Sequence, residues 1–102
     1  MEINKAQRES YNLLEKINNK FNVKHDSDTI FLHLAEEIGE VARELSKKQE
    51  NWREKFDNEK LGGELADVMF DLFSIAEDNN INMEEAFTKK MKKAEEKFEL
   101  QK

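Results

Sequence analysis

Cysteine and proline are both absent from this chain of 102 residues, and glycine occurs only three times. Without cysteine there is no disulfide framework and no thiolate metal site, which suits a reducing compartment. No apolar run approaches the roughly 20 residues of a membrane span, and the start MEINKAQRES has no hydrophobic signal region. A soluble cytoplasmic protein is the expectation. Basic charge is also short: 17 lysines and arginines against 23 acids leave a net charge of −6. That balance argues against a duplex-DNA binder, which needs a basic face for the phosphates. A Gly-rich phosphate loop is missing, and so is a serine or cysteine nucleophile constellation.

What remains reads as helix. Hydrophobic residues make up 37% and charged residues 39%, the mixture of amphipathic helices with solvated outer faces. The length fits one domain over residues 1–102, with a bundle that needs a partner to bury its apolar surface. Four helices are predicted. The first spans 4–20, with Leu13, Leu14, Ile17 and Phe21 on its apolar side; residues 22–28 connect it to the next. Ser27 or Asp28 caps the second, which runs to about Ser46. The polar segment 47–60 either extends a helix or connects. Asp57 or Asn58 caps the third, which continues through Ala76 and ends at Asn79 and Asn80. Asn82, with Glu85 three positions later, opens the fourth in the manner of a capping box, and Phe87, Met91, Ala94 and Phe98 line it.

The second and third helices carry two acidic clusters in matching apolar frames. HLAEEIGEVARELS and KLGGELADVMFDLF align as a weak repeat 27 positions apart. Leu34, Ile38, Val41 and Leu45 match Leu61, Leu65, Val68 and Leu72, while Glu37, Glu40 and Glu44 match Glu64, Asp67 and Asp71. At about 100° per residue the apolar positions form one stripe and the acids one flank beside it. If the stripes pack, up to four carboxylates converge, and their repulsion and lost hydration call for a cation. Oxygen ligands of this kind suit Mg²⁺, or Mn²⁺, better than zinc. Glu36 points further outward. Glu44 and Asp71 read as surface charge one turn beyond the cluster, and His33 as a packing or hydrogen-bonding residue near the same flank. Glycine costs a helix interior about 1 kcal/mol relative to alanine, so Gly39, Gly62 and Gly63 ask for a reason, either close helix approach or room for a ligand.

The pattern Glu36-Glu37-Ile38-Gly39-Glu40 followed by Glu64-Leu65-Ala66-Asp67 resembles the signature of the MazG-like family of all-α nucleoside triphosphate pyrophosphohydrolases. The likeness extends from Leu34 and Val41 through Val68, Ile75 and Ala76 to Met83-Glu84-Glu85-Ala86, Lys90 and Lys97-Phe98. It implies an all-α, four-helix bundle-like fold of MazG type, completed by oligomerisation as a homodimer or homotetramer. Met69, Phe70, Phe73 and Ile75 around the third helix, with Phe31 and Leu32 outside the stripe of the second, ask for the same completion.

The implied activity is metal-dependent cleavage of a (deoxy)nucleoside triphosphate to the monophosphate and pyrophosphate. Glu37, Glu40, Glu64 and Asp67 would hold Mg²⁺ or Mn²⁺, with Glu36 as a further catalytic acid orienting water or a second ion. Metal so held would neutralise phosphate oxygens and acidify a coordinated water. Lys60, which shares the face of Glu64, and Lys90, at the family's basic position in the last helix, are the candidates to meet phosphate. Trp52 would stack on a base or anchor the polar segment. Ala94 stands where many members carry asparagine. Two alternatives stay open: a related dUTPase-like or phosphoribosyl-ATP pyrophosphohydrolase, and a non-enzymatic helical interaction module whose acidic flank meets a basic partner.

Overall fold

The computed structural model describes residues 2–24, 26–49 and 52–99. Four helices account for most of them: α1 Ile3–Phe21, α2 Ser27–Ser46, α3 Asn58–Asp78 and α4 Met83–Lys97. The described residues contain no strand. None of the helices is long and apolar enough to cross a membrane.

The helix ends follow from short polar side chains. Asp26 caps α2, its Oδ1 accepting from the Thr29 amide at 2.9 Å. The predicted caps Ser27 and Asp28 fall inside the helix instead, because only Asp26 keeps the extended backbone that lets a carboxylate reach back to the third amide. Asp57 caps α3 by accepting from the Glu59 amide at 2.8 Å, and Asn82 caps α4 by accepting from Glu85 at 3.0 Å. Asn80 adopts a positive φ of 57° just beyond α3, as expected of an asparagine that ends a helix. Of the polar segment 47–60, Glu50 and Asn51 lie outside the described residues, as does His25 of the first connection. Residues 47–49 turn away from α2, 52–57 are irregular and connect to α3, and 58–60 already belong to α3.

α3 is the central element, with α2 and α1 laid against it. The pairs Ser27 with Asp78, His33 with Asp71 and Glu37 with Asp67 climb one helix while descending the other, so α2 and α3 are antiparallel. The apolar core is small: Ile30, Leu34 and Ala76 are its buried hydrophobic residues. Polar contacts close the end of the bundle. Gln7, buried in α1, donates to Glu77 Oε1 at 3.0 Å and to the Ile81 carbonyl at 2.6 Å, and accepts from the Met83 amide at 3.1 Å. Tyr11 and Ser27 each donate to Asp78, and Asn79 donates to Ser27 Oγ.

The contact face of the α2–α3 pair is rotated from the predicted stripe. Leu34 is buried and Val41, Leu61 and Val68 are half-buried, yet Ile38, Leu45, Leu65 and Leu72 are exposed. Glu44 and Asp71, read from the sequence as surface charge, are buried at 6% and 3% exposure. The reason is that both helices are apolar around more than one face. The face that meets inside the chain includes the acidic flank, and the Ile38–Leu45 and Leu65–Leu72 face is left outside. Nor do the three glycines mark close approach within the chain: a Cβ at Gly39, Gly62 or Gly63 would meet nothing within 4 Å.

The fold is open. Its radius of gyration is 16.7 Å, against about 13 Å for a compact chain of this length. Its surface is 8456 Å² for 12.1 kDa, where about 6000 Å² is usual. α4 contributes to this, since it rests on α1, has no buried residue and exposes Phe87 and Met91.

Candidate metal centre

Glu37 on α2 and Glu64 and Asp67 on α3 each offer a carboxylate oxygen, and the three lie within 4.8 Å of one another. The antiparallel register brings them together: Glu64 and Asp67 are one turn apart on α3, and Glu37 faces them across the helix contact. Glu37 and Glu64 are half-buried and Asp67 is exposed, so the group lies at the edge of the interface, open on one side. Burial, with the charge of Asp67 and then of Glu64, raises the Glu37 carboxyl above its ordinary value; His33 opposes the shift. Among the described residues no lysine or arginine pairs with any of the three acids. Three clustered carboxylates without a lysine or arginine partner form a donor set suited to a hard divalent cation.

Of the other residues singled out, Glu40 and Glu36 are exposed on α2 and stand outside this trio. Lys60 is exposed in the first turn of α3, and Lys90 is exposed on α4 beside Lys89, Lys92 and Lys93. Neither forms an ion pair with the trio among the described residues. Trp52 lies in the connection next to Arg43, Arg53 and Glu54, 41% exposed.

Two features escaped the sequence. His33 Nδ1 is 2.7 Å from Asp71 Oδ2, and His33 Nε2 is 3.4 Å from Glu37 Oε1. The bond to Asp71 raises the His33 pKa above the usual imidazole value, against a smaller effect of burial. The signal for it was the register itself, because pairing Glu37 with Asp67 puts His33, one turn back, against Asp71, one turn on. Beside this pair an apolar cleft opens between α1, α2 and α3, lined by Leu14, Ile17, Asn18, Ile30 and Phe70. The Asn18 Oδ1 in its wall is buried and without a hydrogen-bond partner.

The family model of the MazG nucleotide pyrophosphohydrolase domain matches residues 25–99. The chain belongs to this family. The match takes in α2, α3 and α4 with both acidic clusters, and leaves the whole of α1 outside. No curated protein and no solved structure matches the chain. MazG membership makes nucleotide pyrophosphohydrolysis the activity class of the chain.

Proposed function

We propose that this MazG domain hydrolyses a (deoxy)nucleoside triphosphate between the α and β phosphates, giving the monophosphate and pyrophosphate in a reaction that depends on Mg²⁺ or Mn²⁺. The observation that carries the reading is the trio Glu37, Glu64 and Asp67, drawn within 4.8 Å with no lysine or arginine partner among the described residues. A triphosphate is itself an anion, so these carboxylates attract it only through an intervening cation. A bound divalent ion supplies positive charge to the phosphate oxygens and acidifies water. Glu37, Glu64 and Asp67 would hold the ion; Glu40, one turn along α2 from Glu37, completes the set by side-chain rotation, and Glu36 orients water from outside. The cleft walled by Leu14, Ile17, Asn18 and Phe70 is apolar and adjoins His33, which suits the nucleoside part of the substrate. Lys60 and Lys90 are the candidates to meet the outer phosphates, Lys90 from a second copy of the chain, and Trp52 to border the base.

Assembly belongs to the same reading. Ile38 and Leu45 on α2 and Leu65, Met69 and Leu72 on α3 are all exposed, a pattern that a second identical helix pair would cover. A homodimer, or a homotetramer built from two, follows.

The test is turnover across ribo- and deoxynucleotides, including dUTP and phosphoribosyl-ATP. Glu64→Gln keeps the side chain's size and removes a negative oxygen, and turnover falls by about 10²-fold or more. Glu40→Gln does the same. Full activity in both variants would refute the assignment and favour the interaction-module reading.

A further inference from the structure

The Asp71 carboxylate lies between α2 and α3, its side chain 5% exposed, and among the described residues its hydrogen-bond partner is His33. A buried carboxylate accepts only, so the Nδ1–H of His33 donates to it. The imidazole ring is rigid, and holding Nδ1 against Asp71 fixes where Nε2 stands. Nε2 stands 3.4 Å from Glu37 Oε1, one turn further along α2. Glu37 is the one α2 acid in the trio, the other two being on α3. Its side chain is also flexible enough to swing to solvent, where Glu36 and Glu40 already lie.

We propose that Asp71 and His33 act as a positioning pair that holds Glu37 in the conformation facing Glu64 and Asp67, and so set the cation affinity of the site. Neither residue touches the ion. Asp71, buried in the helix interface, anchors the half-exposed ring at its edge, and the ring blocks Glu37 from rotating away. The inference rests on the reading of the trio as a cation site, and it adds two residues to the acids that determine binding. Loss of such an outer partner weakens a metal site by about 10- to 100-fold.

Mn²⁺ binding to the metal-free protein, followed by calorimetry and by electron paramagnetic resonance of free Mn²⁺, tests it without turnover. His33→Phe keeps a ring and removes both nitrogens; Asp71→Asn keeps volume and loses the anchor's charge. Both variants should raise the Mn²⁺ Kd by about 10-fold or more, His33→Phe the more, while the surface change Glu85→Gln on α4 leaves it unmoved. A purely structural role would lower the melting temperature of the metal-free protein and leave the Kd of the folded fraction unchanged. Mn²⁺ binding by the unaltered protein that Glu64→Gln abolishes, but that stays within twofold in His33→Phe and Asp71→Asn, overturns the positioning role and keeps the site. No Mn²⁺ binding by the unaltered protein overturns the site and the positioning role together.

Discussion

Glu44 sits in the last turn of α2 with both carboxylate oxygens on Lys47 Nζ, at 3.1 and 3.0 Å. The Lys47 side chain is only 3% exposed, and its third contact is Glu54 Oε2 at 3.3 Å from the connection. Glu44 chiefly, then Glu54, hold the Lys47 pKa above its ordinary value, and Lys47 with Arg43 holds Glu54 below its own. In sequence these residues look like an acidic flank followed by a polar linker. Nothing in the spacing shows that the chain folds back so that one lysine closes off two acids, since the partner Glu54 comes from irregular backbone. Asp71, the repeat mate of Glu44, is buried for a different reason, its bond to His33. The consequence is an order of stabilities. Removing one partner of a buried ion pair leaves the other charge stranded, whereas a half-exposed partner is screened by water. Glu44→Ala therefore lowers the melting temperature more than Glu54→Ala, whose side chain is 49% exposed. Equal losses in thermal denaturation would contradict the burial of this cluster.

At the scale of the helix, existence and most ends were legible, the start of α2 falling one residue before the predicted caps, and packing face was not. Asn82, Asp57 and the terminating asparagines are read directly, because a capping side chain acts within three residues of itself. Which face of an amphipathic helix turns inward depends on the neighbour. Phe31, Ile38 and Leu45 form one apolar line on α2, Ile30 and Leu34 another, and the sequence alone does not rank them. The α2 cap gives a prediction at this scale. Hydrogen bonds to Asp26, led by those from the Thr29 amide and the Thr29 hydroxyl, lower its pKa from the ordinary 3.8. A carboxyl with a depressed folded pKa contributes stability that is fully present above its unfolded value and is lost as pH falls through the folded one. The melting temperature of Asp26→Ala should thus trail that of the unaltered protein by a constant margin from pH 7 to pH 5, in the fully ionised range, and the margin should shrink below 3.8. A margin that persists unchanged at the acid end would show that the cap does not act through its charge.

As a whole molecule the chain is open. Its surface and radius of gyration exceed those of a compact chain of its mass, and its helices leave an apolar face on the α2–α3 pair uncovered. The sequence already pointed there, through apolar residues on too many sides of the second and third helices, although it assigned Ile38, Leu45, Leu65 and Leu72 to the interior and the structure exposes them. Light scattering at micromolar concentration should give a mass of at least twice 12.1 kDa; the monomer mass would leave the exposed face unexplained. The sequence has four acids converging, Glu37, Glu40, Glu64 and Asp67, and the structure brings three of them together and leaves Glu40 exposed outside the group. Glu37, Glu64 and Asp67 share the same flank of their helices, and they meet because that flank lies within the face by which α2 and α3 pack. The central claim is the chemistry of that trio, and the most direct measurement separates the products released from nucleoside triphosphates by the purified protein. The account predicts monophosphate and pyrophosphate in equal amounts, formed with Mg²⁺ or Mn²⁺ and absent when the metal is chelated. Orthophosphate as the primary product, or no pyrophosphate from any nucleotide with either metal, would contradict it.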